Sequence, residues 1–439
     1  MIYSEKDTIH FIDGSVATIV SKLGDGAQGD VYKVNWQNKE YALKLYKKRF
    51  LDGLKTNAKK FYNNLKENIE SGSPSDSLIW PLNLTITNDD GTYGYLMELI
   101  PNDYLSFTKM IASPNILNPN YFFEPMIKAG INIVFAMKSI FRRGLTFQDF
   151  NDGSIYINTK TGDIKICDCD NVVANRKEVF ILGKYQYMAP EIVLGKEKPN
   201  RNSDRFSLGV ILFVLFFLTR PFDGKAYRSE IPDNKTNKKY FGENPVYILN
   251  KTNTSNGPIQ GVHIPLLTLY PKYPQYLKEL FYREFTDGIY DKNQRVSENE
   301  WLEVLARLLD DRIKCPKCND EYFILNKNSS VQVCNECNGR TKMLTIVDEA
   351  NNIMYIQAEK KLYDYHLTGI NQLSKDSFNK IGTFGISKKD NNSLVIKNET
   401  LFNWKIKFLD KERDLLPGNM LKLYPNEEII IKNKKFIIQ

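Results

Sequence analysis

Residues 23–32 read LGDGAQGDVY, and the glycines there, with the strand pattern after them, constrain this chain more than any other feature. Gly24, Gly26 and Gly29 form GxGxxG, and Val31 extends it to GxGxxGxV. A dinucleotide-binding turn of that pattern opens a helix after its last glycine. Here the next segments are Val31-Tyr32-Lys33-Val34 and Tyr41-Ala42-Leu43-Lys44-Leu45, rich in β-branched and aromatic residues. The pattern is strand, turn, strand. The glycines therefore cap a β-hairpin, where the missing Cβ lets backbone N–H groups come close to phosphate oxygens.

The chain has 439 residues, enough for two to four domains at roughly 100–200 residues each. Apolar residues make up 42%, with 25 Tyr and 25 Phe to bury, so a packed core rather than disorder is expected. The net charge of +8 is spread over mixed Lys and Asp/Glu, which gives no reason to expect a nucleic-acid partner. Only His10, His263 and His366 are present, which excludes chemistry needing several histidine ligands plus a histidine base. The longest apolar run, Leu208–Leu218, ends in Thr219-Arg220-Pro221 and falls short of the roughly 18–20 residues that span a bilayer. It reads as a buried helix. The start, Met1 to Asp7, has no basic segment leading into an apolar run. No membrane association is expected, and a cytoplasmic location is.

Along the chain, strands are expected over 15–50 and 80–100, the latter broken at Asp89-Asp90-Gly91. Helices are expected over 55–71, 120–143, 204–219 and 275–312, with an irregular excursion over 222–260. No internal repeat is apparent.

Residues 144–170 read GLTFQDFNDGSIYINTKTGDIKICDCD. Two strands, Ile155-Tyr156-Ile157 and Ile164-Lys165-Ile166, flank the turn Thr161-Gly162-Asp163, with Asp149 before the hairpin and Asp168 after it. The segment resembles the protein-kinase core, in which a catalytic-loop Asp precedes a hairpin that ends in a metal-binding Asp. That resemblance implies one carboxylate that orients an incoming hydroxyl and accepts its proton, and another that holds Mg²⁺ across phosphates. Further on come Met188-Ala189-Pro190-Glu191, then Asp204, Ser207 and Gly209 in SDRFSLG, then Arg295 in QRVSENEW. In this order the motifs resemble those of the eukaryotic-type Ser/Thr protein kinases over about residues 15–312.

The resemblance implies an α+β, bilobal kinase-like fold, with an N-lobe over 1–102 and a C-lobe over 103–313. It implies ATP and Mg²⁺ (or Mn²⁺) as cofactors and a protein substrate. Lys44, in YALK, would supply a point charge to the α and β phosphates. Gly24, Gly26, Gly29, Val31 and Ala42 would enclose the nucleotide. Met97 would be the gatekeeper, with the backbone of Glu98 and Ile100 along the adenine edge. Asp149 would be the catalytic-loop Asp, Asp168 the metal Asp, and Ser154 would stand at the second metal position. Glu191 and Arg295 would form a buried ion pair. A closer resemblance, carried by Leu78-Ile79-Trp80-Pro81-Leu82, GYLM at 94–97, ICDCDNV at 166–172, YMAPEIV at 187–193 and EFTDG at 284–288, is to bacterial kinases of tellurium-resistance-associated gene neighbourhoods. That family implies a soluble kinase in a bacterial stress or defence system, acting with a PP2C-type phosphatase and a von Willebrand factor A-type protein.

The departures are specific. Phe147-Gln148-Asp149 lacks the Arg that would receive an activating phosphate. Asn151 stands where the catalytic-loop Lys is usual, and Ser154 where the metal-binding Asn is. Asp168-Cys169-Asp170 has no closing Gly, and both Glu67 and Glu70 compete as the helix partner of Lys44. Between Asp168 and Glu191 there is no Ser or Thr, only Tyr185 and Tyr187. Packing of Val179-Phe180-Ile181-Leu182 is therefore expected to hold this segment without Ser/Thr phosphorylation. These features leave two readings, an active Ser/Thr kinase and an ATP-binding pseudokinase scaffold. The APE motif and Arg295 speak against a small-molecule kinase.

In the tail, Cys315, Cys318, Cys334 and Cys337 read Cys-x2-Cys-x15-Cys-x2-Cys. Four thiolates at this spacing close a tetrahedron around Zn²⁺ and leave no open position, so a structural zinc ribbon over 314–342 is expected. Short apolar runs from 343 to 439 predict a small all-β domain that faintly resembles a forkhead-associated sandwich. No Arg, Ser and His set suited to phosphothreonine is evident, so partner docking is its expected role.

Overall fold

The computed structural model describes residues 3–113, 123–175, 183–324, 329, 331–390, 393–409 and 411–439. The stretch Val179-Phe180-Ile181-Leu182 lies outside them. Two compact units emerge: one comprises residues 1–121, 128–267 and 280–296, the other 122–127, 268–279 and 297–439.

The first unit begins with an antiparallel sheet of β1 (Thr8–His10), β2 (Val16–Asp25), β3 (Gly29–Trp36), β4 (Lys39–Tyr46), β5 (Pro81–Leu84) and β6 (Gly94–Met97), in the order β1-β2-β3-β4-β6-β5. The glycine motif is the β2–β3 turn, with Gly24 opposite Val31 and Asp25 opposite Asp30. Helix α1 (Ala58–Ser71) turns Phe61, Leu65 and Asn68 inward, the i, i+4, i+7 stripe of an amphipathic helix. Phe61 packs edge-on to Tyr46, which also meets Phe50 and Tyr93.

The rest of this unit is built on residues 128–142 of α2 (Phe123–Arg142) and on α3 (Arg201–Phe217). Every residue from Leu208 to Phe217 is buried. A helix apolar on all sides belongs in a core, and this one reaches no membrane-spanning length. Among the described residues no helix is long and apolar enough to cross a membrane. Asn200 starts α3 with a capping box: its side chain accepts from Asn202 and Ser203 N–H, and Ser203 Oγ accepts from Asn200 N–H. The hairpin of β7 (Ile155–Ile157) and β8 (Ile164–Ile166) pairs Ile164 with Ile157. Ile166 O accepts from Ile79 N–H at 2.7 Å, joining this hairpin to the chain entering β5. The stretch 222–260 holds only short helical turns.

In the second unit, α4 (Glu298–Asp311) buries Trp301, Leu302, Leu305 and Leu308. From sequence this helix belongs with the kinase lobe, but it clusters with the segments that come after it. The physical reason lies at its C-terminus: Asp310 accepts from Tyr365 Oη at 2.8 Å and faces His366 Nε2 at 3.1 Å. Two short hairpins, Arg312–Lys314 with Glu321–Phe323 and Val331–Val333 with Arg340–Lys342, carry the cysteine pairs in their turns. Among the described residues of 345–438, ten strands form sheets of six and four, closed around Phe384, Ile396, Trp404, Ile429 and Ile431.

Candidate active site

The cleft of the first unit has a volume of about 910 Å³. Its roof is the glycine turn, and Gly29 has no alternative there, since a Cβ would stand 2.4 Å from Leu45 O. Asp25, at the tip, pairs with Lys47, whose Nζ also donates to Gly26 O at 2.8 Å. Leu23, Gly24, Gly26, Val31 and Ala42 line one wall, and Met97, Glu98, Leu99 and Ile100 line the strip after β6. Met97 lies opposite Ala42 in the sheet, and the Glu98 carboxylate faces Lys165 Nζ at 3.3 Å.

Lys44, Asp149 and Asp168 lie in the wall of this same cleft. Lys44 is 5% exposed, and its ammonium has three partners: Gln28 Oε1 at 2.9 Å, Asp168 Oδ1 at 3.2 Å and Asp170 Oδ2 at 2.9 Å. Burial alone pushes such an ammonium towards neutrality, but the Asp170 and Asp168 carboxylates outweigh it and hold Lys44 charged, above its ordinary value. Neither Glu67 nor Glu70 is among these partners. Glu70 instead faces Lys66 at 3.9 Å. Helix α1 reaches the 168–172 turn through Asn64 and Asn68, whose Nδ2 groups both donate to Val172 O, at 2.9 and 2.8 Å. Asp170 is wholly buried, also accepts from Tyr46 Oη at 2.6 Å, and leaves its Oδ1 without a hydrogen-bond partner.

Asp149 follows Gln148, which sits in the left-handed region at φ 64°. The loop is held from below: Asp204 Oδ2 accepts from Thr146 Oγ1 at 2.6 Å and Phe147 N–H at 2.7 Å. Burial pushes Asp204 up to about 6 against those hydrogen bonds. Burial likewise raises the Asp149 carboxyl above its ordinary value, opposed by a hydrogen bond from Asn151 Nδ2 at 2.7 Å. A carboxylate so raised is the better proton acceptor.

Ser154, expected at the second metal position, is placed away from the cleft. The short turn Asp152–Ser154 buries it to 1% exposure, and it is not part of the cleft wall. Gln28, Asn102, Asn151 and Asn171 line the cleft with side-chain carbonyl oxygens, of which Gln28 Oε1 is taken by Lys44 and Asn151 Oδ1 by Gly153 N–H. Asn171 Oδ1 is buried without a hydrogen-bond partner, and the Asp168 side chain is 41% exposed. Oxygen donors of this kind suit a hard divalent cation such as Mg²⁺. Asp168, at φ 57°, precedes the turn that presents Asn171.

Sequence patterns also gave no sign of a cluster beneath the loop. Asp152, 1% exposed, faces Lys184 Nζ at 3.0 Å and Arg220 Nη2 at 3.3 Å, and the Arg220 guanidinium lies 5.5 Å from the centre of the Tyr187 ring. Lower in the lobe Arg295 Nη1 and Nη2 each lie 2.8 Å from a Glu191 oxygen.

In the second unit the Sγ atoms of Cys315, Cys318, Cys334 and Cys337 all lie within 4.8 Å of one another. Cys315–Cys337 is 3.6 Å and Cys318–Cys334 is 3.7 Å. A tetrahedral zinc with Zn–S bonds of about 2.3 Å requires S···S edges of about 3.8 Å, so the four sulfurs fit the ion. Asn319 N–H donates to Cys315 O and Asn338 N–H to Cys334 O, with both asparagines in the left-handed region. The two cysteine turns are thus built alike.

The fold and cleft are those of one class of protein, and residues 17–263, more than half of the chain, match the protein kinase domain family. The chain belongs to that family. It is similar to the probable serine/threonine-protein kinase kinY of Dictyostelium discoideum, 27% identical over 221 residues, 46% of this chain and 37% of that protein. It is similar to the putative serine/threonine-protein kinase L673 of Acanthamoeba polyphaga mimivirus, 25% identical over 233 residues, 51% of this chain and 40% of that protein. A shorter match, 33% identical over 100 residues, covers 22% of this chain and 16% of NUAK family SNF1-like kinase 2 of Rattus norvegicus. The chain thus spans less than half the length of each of these relatives.

Proposed function

We propose that this protein is an active kinase that transfers the γ-phosphoryl group of ATP to Ser or Thr hydroxyls of a protein substrate. The observation that carries the reading is the meeting of Lys44, Asp168 and Asp149 in one cleft beneath the glycine turn. Lys44, kept charged, meets the α and β phosphates, while Asp149 orients the hydroxyl and receives its proton. A divalent cation held by Asp168 and Asn171 offsets phosphate charge. The names of the two longer-matching relatives, both serine/threonine-protein kinases, support the choice of hydroxyl. The Asp152–Arg220–Tyr187 contacts support a segment held by packing and ion pairs rather than by phosphorylation.

The ribbon and sandwich present docking surfaces in this reading. The resemblance to tellurium-resistance-associated kinases adds a PP2C-type phosphatase and a von Willebrand factor A-type protein as partners, in a bacterial stress or defence system. The rival reading, a nucleotide-binding scaffold, draws on Asn151 and Ser154, which leave the loop without its usual lysine and its usual metal-binding asparagine. Incubation with γ-labelled ATP, beside an Asp149→Asn control, separates the two. Label on Ser or Thr in the wild type alone is the expected result, and no label in either protein favours the scaffold.

A further inference from the structure

The transferring phosphoryl group carries negative charge that passes between two oxygens, and a cation on the catalytic-loop side of the cleft is needed to meet it. Asn151 cannot supply one. Its side chain is also occupied, donating to Asp149 Oδ1 at 2.7 Å and accepting from Gly153 N–H at 2.9 Å. Lys33, Lys44, Lys109 and Lys184 are the lysines that line the cleft. Lys33 pairs with Glu40 at 2.7 Å, and Lys44 with two carboxylates. Among the described residues, Lys184 places its ammonium against the catalytic loop, 3.0 Å from Asp152 Oδ1. Gly153 leaves it room, since a Cβ at 153 would stand 3.2 Å from Lys184 Nζ. The side chain remains 47% exposed, and an ammonium anchored on Asp152 keeps further N–H donors for a ligand. Asp152 does not depend on Lys184 alone, because Arg220 Nη2 at 3.3 Å and Thr108 Oγ1 at 3.2 Å also face it.

We propose that Lys184, delivered by the segment after Asp168, is the catalytic cation that contacts the γ-phosphoryl group and takes the place left empty by Asn151. This rests on the proposed kinase activity. In the step, the substrate oxygen bonds to Pγ as the Pγ–O bond to ADP breaks. The hydroxyl proton passes to Asp149, and Lys184 stays protonated throughout.

The test uses the full chain with Mg·ATP and Mg·ADP. Lys184→Met is expected to lower kcat roughly ten- to a hundredfold, the range of a lost charge-assisted hydrogen bond. It should weaken ATP binding relative to ADP, which lacks the γ-phosphate. Asn151→Lys introduced beside Lys184→Met should recover much of the rate by supplying a cation from the loop. If Asp152→Asn beside Lys184→Met recovers it instead, Lys184 serves only to neutralise Asp152 and the proposal falls. Unchanged kcat and an unchanged ATP/ADP affinity ratio in Lys184→Met also overturn it. Should the wild type transfer no phosphoryl group, the affinity ratio alone decides Lys184's contact, and the kinase reading fails separately.

Discussion

Asp170→Asn is the most informative single change, because it keeps the shape of the Lys44 site and removes its buried charge. Breaking one side of a buried ion pair costs about 3–5 kcal/mol when nothing else compensates. Here compensation exists: Asp168 remains 3.2 Å from Lys44, though its side chain is 41% exposed and its field partly screened. Relief of the unpartnered Asp170 Oδ1 reduces the loss further. The Asn oxygen can still accept from Tyr46 Oη. The net destabilisation is then about 1–3 kcal/mol. Asp168 is then the one carboxylate left to Lys44 beside the neutral Gln28 oxygen, and Lys44 competes with the cation that carboxylate is expected to hold, so the KM for Mg·ATP should rise roughly tenfold, equivalent to about 1.4 kcal/mol. Thermal unfolding and initial-rate titrations of ATP read both quantities. Glu70→Gln, on an exposed face beside Lys66, serves as a control and should stay within about 0.5 kcal/mol and leave KM alone. If Glu70→Gln loses ATP binding while Asp170→Asn keeps it, Lys44 is anchored by α1 in the working enzyme and Asp170 is not its anchor.

Three further outcomes are expected. Glu284 is wholly buried, accepts from Val296 N–H at 2.6 Å, and burial pushes it from 4.5 up to about 7. The folded state therefore holds this proton more tightly than the unfolded chain, and stability falls as pH rises from about 4.5 through 7, by about 3 kcal/mol in all. Glu284→Gln should flatten that slope in denaturation melts at pH 5 and pH 8, and an unaltered slope counts against it. Arg295→Met, which strands the Glu191 carboxylate, should cost about 3–5 kcal/mol, with part regained by adding Glu191→Leu. A variant that melts with the wild type refutes the pair's importance. Elemental analysis should find one zinc per chain, lost in Cys315→Ser together with protease resistance around residues 312–342. Equal resistance in metal-stripped and untreated protein tells against a structural ion.

The features legible in the sequence are local ones. The glycine spacing and the strand alternation after it encode a hairpin whose register, Gly24 opposite Val31, is set within a dozen residues. The cysteine pairs likewise sit in tight turns that each close on their own backbone. The helices at 58–71, 123–142 and 201–217 arise from apolar periodicity and, in the last, from an asparagine cap. Choices made across long separations were not legible. Ser154 stands at the expected position in the chain, yet a single short turn decides whether its side chain faces the cleft or the interior. Lys184 and Asp152 lie 32 residues apart, and nothing in either neighbourhood announces the other. Helix α4 continues the apolar pattern of the lobe, but Asp310 is satisfied by Tyr365 and His366, more than fifty residues on.

Two of the departures in the sequence are one physical fact. The triplet at 168–170 ends in Asp rather than Gly, and no glutamate of α1 could be assigned to Lys44. A glycine at 170 would offer the lysine no charge, so a helix carboxylate would have to cross to it. An aspartate there, 2.9 Å from Lys44 Nζ and shielded by Tyr46, makes that carboxylate unnecessary. Helix α1 docks on the 168–172 turn through Asn64 and Asn68, whose Nδ2 groups donate to Val172 O. The anchor of the lysine and the anchor of the helix, one device in kinases that use a helix glutamate, are separated here. Displacing α1 should therefore weaken nucleotide binding less than neutralising Asp170 does. Asn68→Ala, which removes one of the two helix contacts, and Asp170→Asn, compared by ATP titration, test the separation: an equal or larger loss in Asn68→Ala would mean that helix and lysine still act as one.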